Sequence, residues 1–173
     1  MDGITFIADF ISDPASLFSY LDQNVTWDTR MSARKTASYG VAYNYSQIKY
    51  PDSEFLPALQ EIAKQIHGTL GFEPNNCLIN YYLDGKSKMG FHSDQTDILH
   101  EDTGIVIISV GETRTLRFRN IADQSITKDY PLPSGSMIYM TQEVQAVWQH
   151  AIPASDTGKG RISITFRQIK RLT

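Results

Sequence analysis

The stretch GFHSDQTD at residues 90–97 places His92, Asp94 and Asp97 within six residues. Such a cluster can hold a metal, act as a general acid/base pair, or be a polar turn that contains a histidine. If KMGFHSD is a strand, side chains alternate across it, and His92 and Asp94 share a face. An imidazole and a carboxylate so placed can ligate one metal ion, and a third ligand is then required. His150, in VWQHAIP 58 residues later, is the one other histidine in a comparable strand pattern. Two histidines and a carboxylate on one side of a metal leave coordination positions open, the arrangement of non-haem iron(II) oxygenases. An H-x-D triplet alone is common by chance, so the reading depends on its company. His67, at the end of a helical pattern, and His100, in the acidic loop LHED, read as surface groups, with a ligand on a mobile loop as the alternative for His100.

The closing pattern RISITFRQI supplies that company. Arg161, Ser163, Thr165 and Arg167 point one way, and Ile162, Ile164 and Phe166 point the other way, into a core. Two arginines on one face of a half-buried strand need anionic partners, because an unpaired buried guanidinium is costly. At about 3.3 Å per residue their Cα atoms stand roughly 20 Å apart, and both side chains can lean toward a short dianion between them. A dicarboxylate bound to the metal fits; the plainer alternative is a pair of rim arginines in surface ion pairs. In LINYYLDG, Asn80 and Tyr82 share a face one hairpin arm before His92. An amide and a phenol can hydrogen-bond a carboxylate, although strand tyrosines are commonly core residues.

These groups need elements to hold them. DPASLFSYLDQ (13–23) starts like a helix, with Asp13 as cap and Pro14 in the first turn. SEFLPALQEIAKQIHG (53–68) has the clearest helical period, with Ser53 as cap and Gly68 as terminator. ITFIADFI (4–11) is apolar and β-prone, and residues 28–45 read as loop and short strands. From residue 77 onward seven segments read as strands separated by turn signals. Helices followed by many strands predict an α+β domain, with N-terminal helices packed on one sheet of a β-sandwich or double-sheet jelly roll.

Composition narrows the function classes. The chain has 173 residues, 41% of them hydrophobic, and a net charge of −3, so a nucleic-acid contact must come from a local basic face. Its single cysteine, Cys77, excludes an internal disulfide framework and reads as a buried small hydrophobe. The first residues do not read as a signal peptide, and no window has the roughly 20 apolar residues of a membrane helix. A soluble, cytoplasmic monomer is expected.

Taken in order, N-x-Y, H-x-D, a single His and R-x5-R span residues 80–167. This pattern resembles the AlkB family of iron(II)- and 2-oxoglutarate-dependent dioxygenases. SITFRQI is similar to the family's closing strand and LINYY to its L-I-N-R-Y segment, with the resemblance running from about residue 34 to 169. It implies a single domain with a double-stranded β-helix (jelly-roll) core over about 76–170, preceded by helices and a substrate-recognition lid over about 1–75. It implies that His92, Asp94 and His150 hold Fe(II). It also implies that the co-substrate 2-oxoglutarate chelates the metal, and that Arg161 and Arg167 grip its carboxylates with help from Asn80 and Tyr82. The family's usual Asn two residues after the first arginine is Ser163 here, a shorter donor. Oxygen would complete the reactants, and oxidation of an N-methyl group would release formaldehyde, with succinate and CO2 from the co-substrate.

The segment ARKTASYGVAYNYS (33–46) matches the family's nucleotide-recognition lid in position and character. Arg34 and Lys35 are expected at phosphates, and Tyr39, Tyr43 or Tyr45 on a flipped base. An acid is expected two residues after the ligand Asp in DNA-repair members; here Thr96 stands there, with Asp97 next. The expected function is oxidative demethylation of alkylated bases in DNA or RNA, single-stranded by preference. The alternatives are a hydroxylase of a modified transfer-RNA base, a protein or a small molecule, and a non-catalytic nucleic-acid-binding module.

Overall fold

The computed structural model describes residues 1–45 and 48–170, with the side chains of residues 43–50 outside that description. Two antiparallel sheets face each other. The larger has six strands in the order β1 (Ile4–Ile7), β10 (Met137–Met140), β7 (Ile105–Gly111), β12 (Arg161–Arg167), β5 (Asn76–Tyr82) and β2 (Lys35–Gly40). The smaller runs β6 (Met89–His92), β11 (Trp148–Ile152), β8 (Arg114–Asn120) and β9 (Thr127–Leu132). A separate hairpin pairs β3 (Tyr43–Tyr45) with β4 (Ile48–Tyr50). This is the double-sheet jelly roll expected from the strand-rich second half. The larger sheet also takes β1 and β2 from the part of the chain expected to hold helices and lid.

Each face of the larger sheet has its own core. Helices α1 (Pro14–Asn24) and α2 (Pro57–Leu70) cover the outer face, where Leu17, Leu21, Leu59, Ile62 and Ile66 pack on Ile79, Ile108, Ile162, Ile164 and Phe166. Between the sheets, Tyr82, Ile107, Leu116, Phe118, Ile138 and Ile152 form a second core. β12 lies centrally and is buried along its whole length, not half-buried as its alternation predicts. Its apolar residues face the helices, and its polar residues face the space between the sheets.

Local chemistry explains most boundaries. The Asp13 carboxylate accepts the Ser16 backbone N–H at 3.1 Å, so α1 starts as its cap predicts. α2 starts later than expected, at Pro57, because Ser53 is occupied elsewhere. Its backbone exchanges hydrogen bonds with Gly40. The helix passes Gly68 and ends at Gly71, whose φ of +86° suits a residue without Cβ. Some elements were not legible. β9, TKDYPL, is a polar edge strand that tolerates Pro131 because one side of it pairs with no other strand among the described residues. α3 (Gln142–Val147) is a six-residue helix between two segments that read as strands, and it takes Ala146 and Val147 from the second of them.

Candidate metal and co-substrate site

The side chains with metal-binding chemistry meet between the sheets. In the pairing of β11 with β6, His150 stands directly opposite His92, so residues 58 apart become cross-strand neighbours. Their ring centroids are 4.4 Å apart. Asp94 lies beyond the end of β6, so strand alternation is not what aims it. Its backbone N–H donates to Gln145 Oε1 of α3 at 2.8 Å. The carboxylate then reaches three cations or imidazoles at once. Oδ1 is 3.4 Å from His92 Nε2, and Oδ2 is 3.6 Å from both His150 Nε2 and Arg167 Nη2. Among the described residues, His92, Asp94 and His150 form the one such group, with ligand atoms within 4.8 Å of one another.

The donor set fits a divalent transition metal. His92 donates Nδ1–H to the Gly90 carbonyl at 2.8 Å, which turns Nε2 toward Asp94. Binding one ring nitrogen to a carbonyl fixes the tautomer a metal ligand needs. Burial pushes the His150 pKa down to about 4 against the pull of Asp94, so this imidazole is neutral at pH 7. Burial alone would raise the Asp94 carboxyl. The His92 hydrogen bond and the nearby Arg167, His150 and His92 charges outweigh it and hold the group well below the usual carboxylate range. For His92 burial works downward, but the Asp94 hydrogen bond and charge carry the pKa upward, aided by the Gly90 carbonyl.

The rest of the pocket is built to receive an anion. Asn80, Tyr82, Arg161, Ser163, Thr165 and Arg167 line it together with the metal-site residues. Register explains the grouping, since β12 sets Arg161 opposite Tyr82 and Ser163 opposite Asn80. Arg161 is only 1% exposed. Its Nη2 donates to Ser109 Oγ at 2.9 Å, and its guanidinium lies 5.2 Å from the Tyr82 ring centroid. Nε and Nη1 have no hydrogen-bond partner among the described residues. Burial lowers its pKa, Tyr82 opposes that, and the neighbouring Arg114 charge adds to it. The pocket thus holds two buried arginines and one carboxylate, a surplus of positive charge.

The residues expected to touch nucleic acid are placed otherwise. Arg34 is 6% exposed. It donates from Nε to Asn80 Oδ1 at 2.9 Å and from Nη1 to the Lys88 carbonyl at 3.2 Å, so it braces Asn80 instead of meeting a phosphate. Lys35 and Tyr39 pair with Tyr81 and Cys77 and share the helix-covered face of β2. The Lys35 ammonium lies 5.5 Å from the Tyr81 ring centroid, and the Tyr39 phenol engages the Thr26 backbone. Neither faces the pocket. Tyr43 and Tyr45 fall in β3, with side chains outside the described residues. Thr96 and Asp97 belong to a turn in which the Thr96 carbonyl accepts Leu99 N–H at 3.0 Å, and Asp97 is exposed. His67 and His100 are exposed. Sequence reasoning missed Ser109, Arg114 and Gln145, which touch the site residues from other elements and carry no local motif.

The chain is similar in sequence and fold to known proteins. The family model described as 2OG-Fe(II) oxygenase superfamily matches residues 13–167. Alpha-ketoglutarate-dependent dioxygenase alkB homolog 3 of Rattus norvegicus is 31% identical over 169 residues, covering 86% of this chain and 57% of that protein. DNA oxidative demethylase ALKBH2 of Homo sapiens is 29% identical over 147 residues, covering 79% of this chain and 56% of that protein. The chain therefore spans somewhat more than half the length of these relatives. The solved structure of OsALKBH1 superposes with a TM-score of 0.73 over 97% of this chain and 99% of that one, at 16% identity, and so shares the fold.

Proposed function

This chain belongs to the 2OG-Fe(II) oxygenase superfamily, and from that premise we propose that it is an AlkB-like dioxygenase that oxidatively demethylates alkylated nucleic-acid bases. One observation carries the reading. The triad of His92, Asp94 and His150 opens into the same pocket as Arg161, whose buried guanidinium has two donors without partners among the described residues. A dianion that also ligates the metal answers both needs.

In this reading His92, Asp94 and His150 hold Fe(II), and 2-oxoglutarate fills the pocket. When bound, iron with this co-substrate and O2 supplies the oxidising power to hydroxylate a C–H bond, while the co-substrate becomes succinate and CO2. Arg161, steadied by Ser109 and Tyr82, and Arg167 neutralise the co-substrate's carboxylates. Arg34 occupies the carbonyl oxygen of Asn80, so the Asn80 amide has N–H donors to offer the pocket. Leu78, Ile107, Leu116 and Ile152 line the remainder and keep water out. A hydroxylated N-methyl group then collapses to formaldehyde and the unmodified base.

Nucleic acid as substrate is supported by the similarity to ALKBH2, a DNA oxidative demethylase. A single strand suits a chain of net charge −3, because an unstacked base needs no extrusion from a duplex. The test is anaerobic loading with Fe(II) and 2-oxoglutarate, followed by oxygen, with methylated single-stranded DNA and RNA. Formaldehyde released in step with succinate, and lost in His92→Ala, is the expected result. Succinate without formaldehyde would move the substrate to another class, and no succinate from metal-loaded protein would refute catalysis. Among the described residues no helix is long and apolar enough to cross a membrane.

A further inference from the structure

Asp94 has a problem that its own strand does not solve. It sits past the end of β6, in a segment without regular structure, and its carboxylate has a rival partner in Arg167 at 3.6 Å. A carboxylate on a loose segment would turn to the guanidinium and form an ordinary buried ion pair. That would leave two histidines, too few to hold a metal from one side.

Gln145 stands against this outcome. It is 5% exposed, 51 residues from Asp94 in sequence, and it accepts the Asp94 backbone N–H at 2.8 Å. Its amide nitrogen has the Met140 sulfur at 3.6 Å, a weak acceptor. A buried amide is costly to leave with such a poor partner unless its other end is needed. The Gln145 side chain comes from α3, the short helix that leads straight into β11 and His150. A second tether joins the same two segments, where Ser93 Oγ donates to the Trp148 carbonyl at 2.9 Å. One short stretch of chain thus holds both the carboxylate and its partner imidazole.

We propose that Gln145 is a positioning residue of the metal site: by holding the Asp94 backbone it keeps the carboxylate between His92 and His150 and away from sole pairing with Arg167. The inference rests on the metal-binding part of the proposed function and on none of its substrate chemistry. What matters is an acceptor at Oε1. Gln145→Glu keeps one at the same reach, whereas Gln145→Met keeps the volume and loses it.

The test titrates Mn(II) into metal-free protein and reads unbound Mn(II) by electron paramagnetic resonance. Co(II) ligand-field bands report the donor set independently of turnover. Gln145→Met should weaken Mn(II) binding by about 10–100-fold, the usual effect of losing a group that orients a ligand, and should shift the Co(II) bands. Gln145→Glu should retain most of the affinity and the wild-type bands. Circular dichroism of the metal-free variants checks that they fold. Wild-type affinity in Gln145→Met, or an equal loss in both variants, would overturn the inference while leaving the metal site standing. Wild-type protein that takes up no Mn(II) would overturn the inference and the proposed function together.

Discussion

Arg161→Met should make the metal-free protein more stable and the co-substrate complex far weaker. The guanidinium is buried between the two sheets, where Nη2 donates to Ser109 Oγ and the Tyr82 ring lies alongside, and Nε and Nη1 have no hydrogen-bond partner among the described residues. Replacing a poorly compensated buried charge by an apolar side chain of similar volume is neutral to stabilising by about 1–4 kcal/mol. The loss of the Ser109 contact takes back about 1 kcal/mol. A net gain of about 2 kcal/mol would raise the midpoint of unfolding by about 4–8 °C in a chain of this size. In the complex, the two donors would make charge-assisted hydrogen bonds worth about 1.5–3 kcal/mol each. Their loss weakens 2-oxoglutarate by about two to four orders of magnitude. Differential scanning calorimetry of the metal-free protein and isothermal titration of 2-oxoglutarate into the Mn(II)-loaded protein measure the two effects. A lower unfolding temperature with unchanged 2-oxoglutarate affinity would show that Arg161 is a structural residue and that the anion binds elsewhere.

Other outcomes follow from the same geometry. His150 has a folded pKa of about 4 against an unfolded value near 6.5, so its contribution to stability is complete above about pH 6.5 and is lost as pH falls toward 4. Asp94 acts in the same direction at lower pH, because its folded pKa lies below the unfolded one. Urea unfolding of metal-free protein should therefore show stability falling between pH 6.5 and 4, with a shallower slope in His150→Ala; equal slopes would contradict the buried neutral imidazole. Arg34→Ala should weaken 2-oxoglutarate, since Asn80 loses its brace, and leave the salt dependence of oligonucleotide binding unchanged. A reduced salt slope would restore Arg34 to a phosphate. Gly40→Ala should cost at least about 1–3 kcal/mol in chemical denaturation, because φ is +86° and the new Cβ would stand 2.1 Å from the Asn75 carbonyl oxygen. Asp13→Ala should cost about 1 kcal/mol, the usual value of a helix cap.

Much of the frame was legible because it depends on short-range chemistry. The period of Leu59, Ile62 and Ile66 marks a helix in any context, and the Asp13 cap needs only a residue three positions away. The alternation in RISITFR assigns each residue to one of two faces before any partner is known. Reading failed where a residue's partner lay far along the chain. Ser53 looks like a cap, but it bonds to Gly40, and α2 starts four residues later. Gln145 lies in a helix too short to show a period, and its importance comes from an N–H 51 residues away. Arg34, Lys35 and Tyr39 form a basic, aromatic segment whose composition fits a nucleotide lid. Pairing of β2 with β5 decides that Lys35 and Tyr39 face the helices, and burial turns Arg34 toward Asn80.

The amino-acid sequence by itself determined which chemical groups this protein carries, the two faces of its strands, and the order in which an imidazole, a carboxylate and two guanidiniums occur. Those are properties of residue type and of a two-residue repeat, and they hold before folding. Only the tertiary structure decided that His150 stands opposite His92, that Asp94 is aimed by α3 and not by its own strand, and that Arg161 is sealed from water. Each of these is a distance between residues far apart in the chain. Such distances are set by strand register and by the burial of whole faces, and no local pattern encodes them.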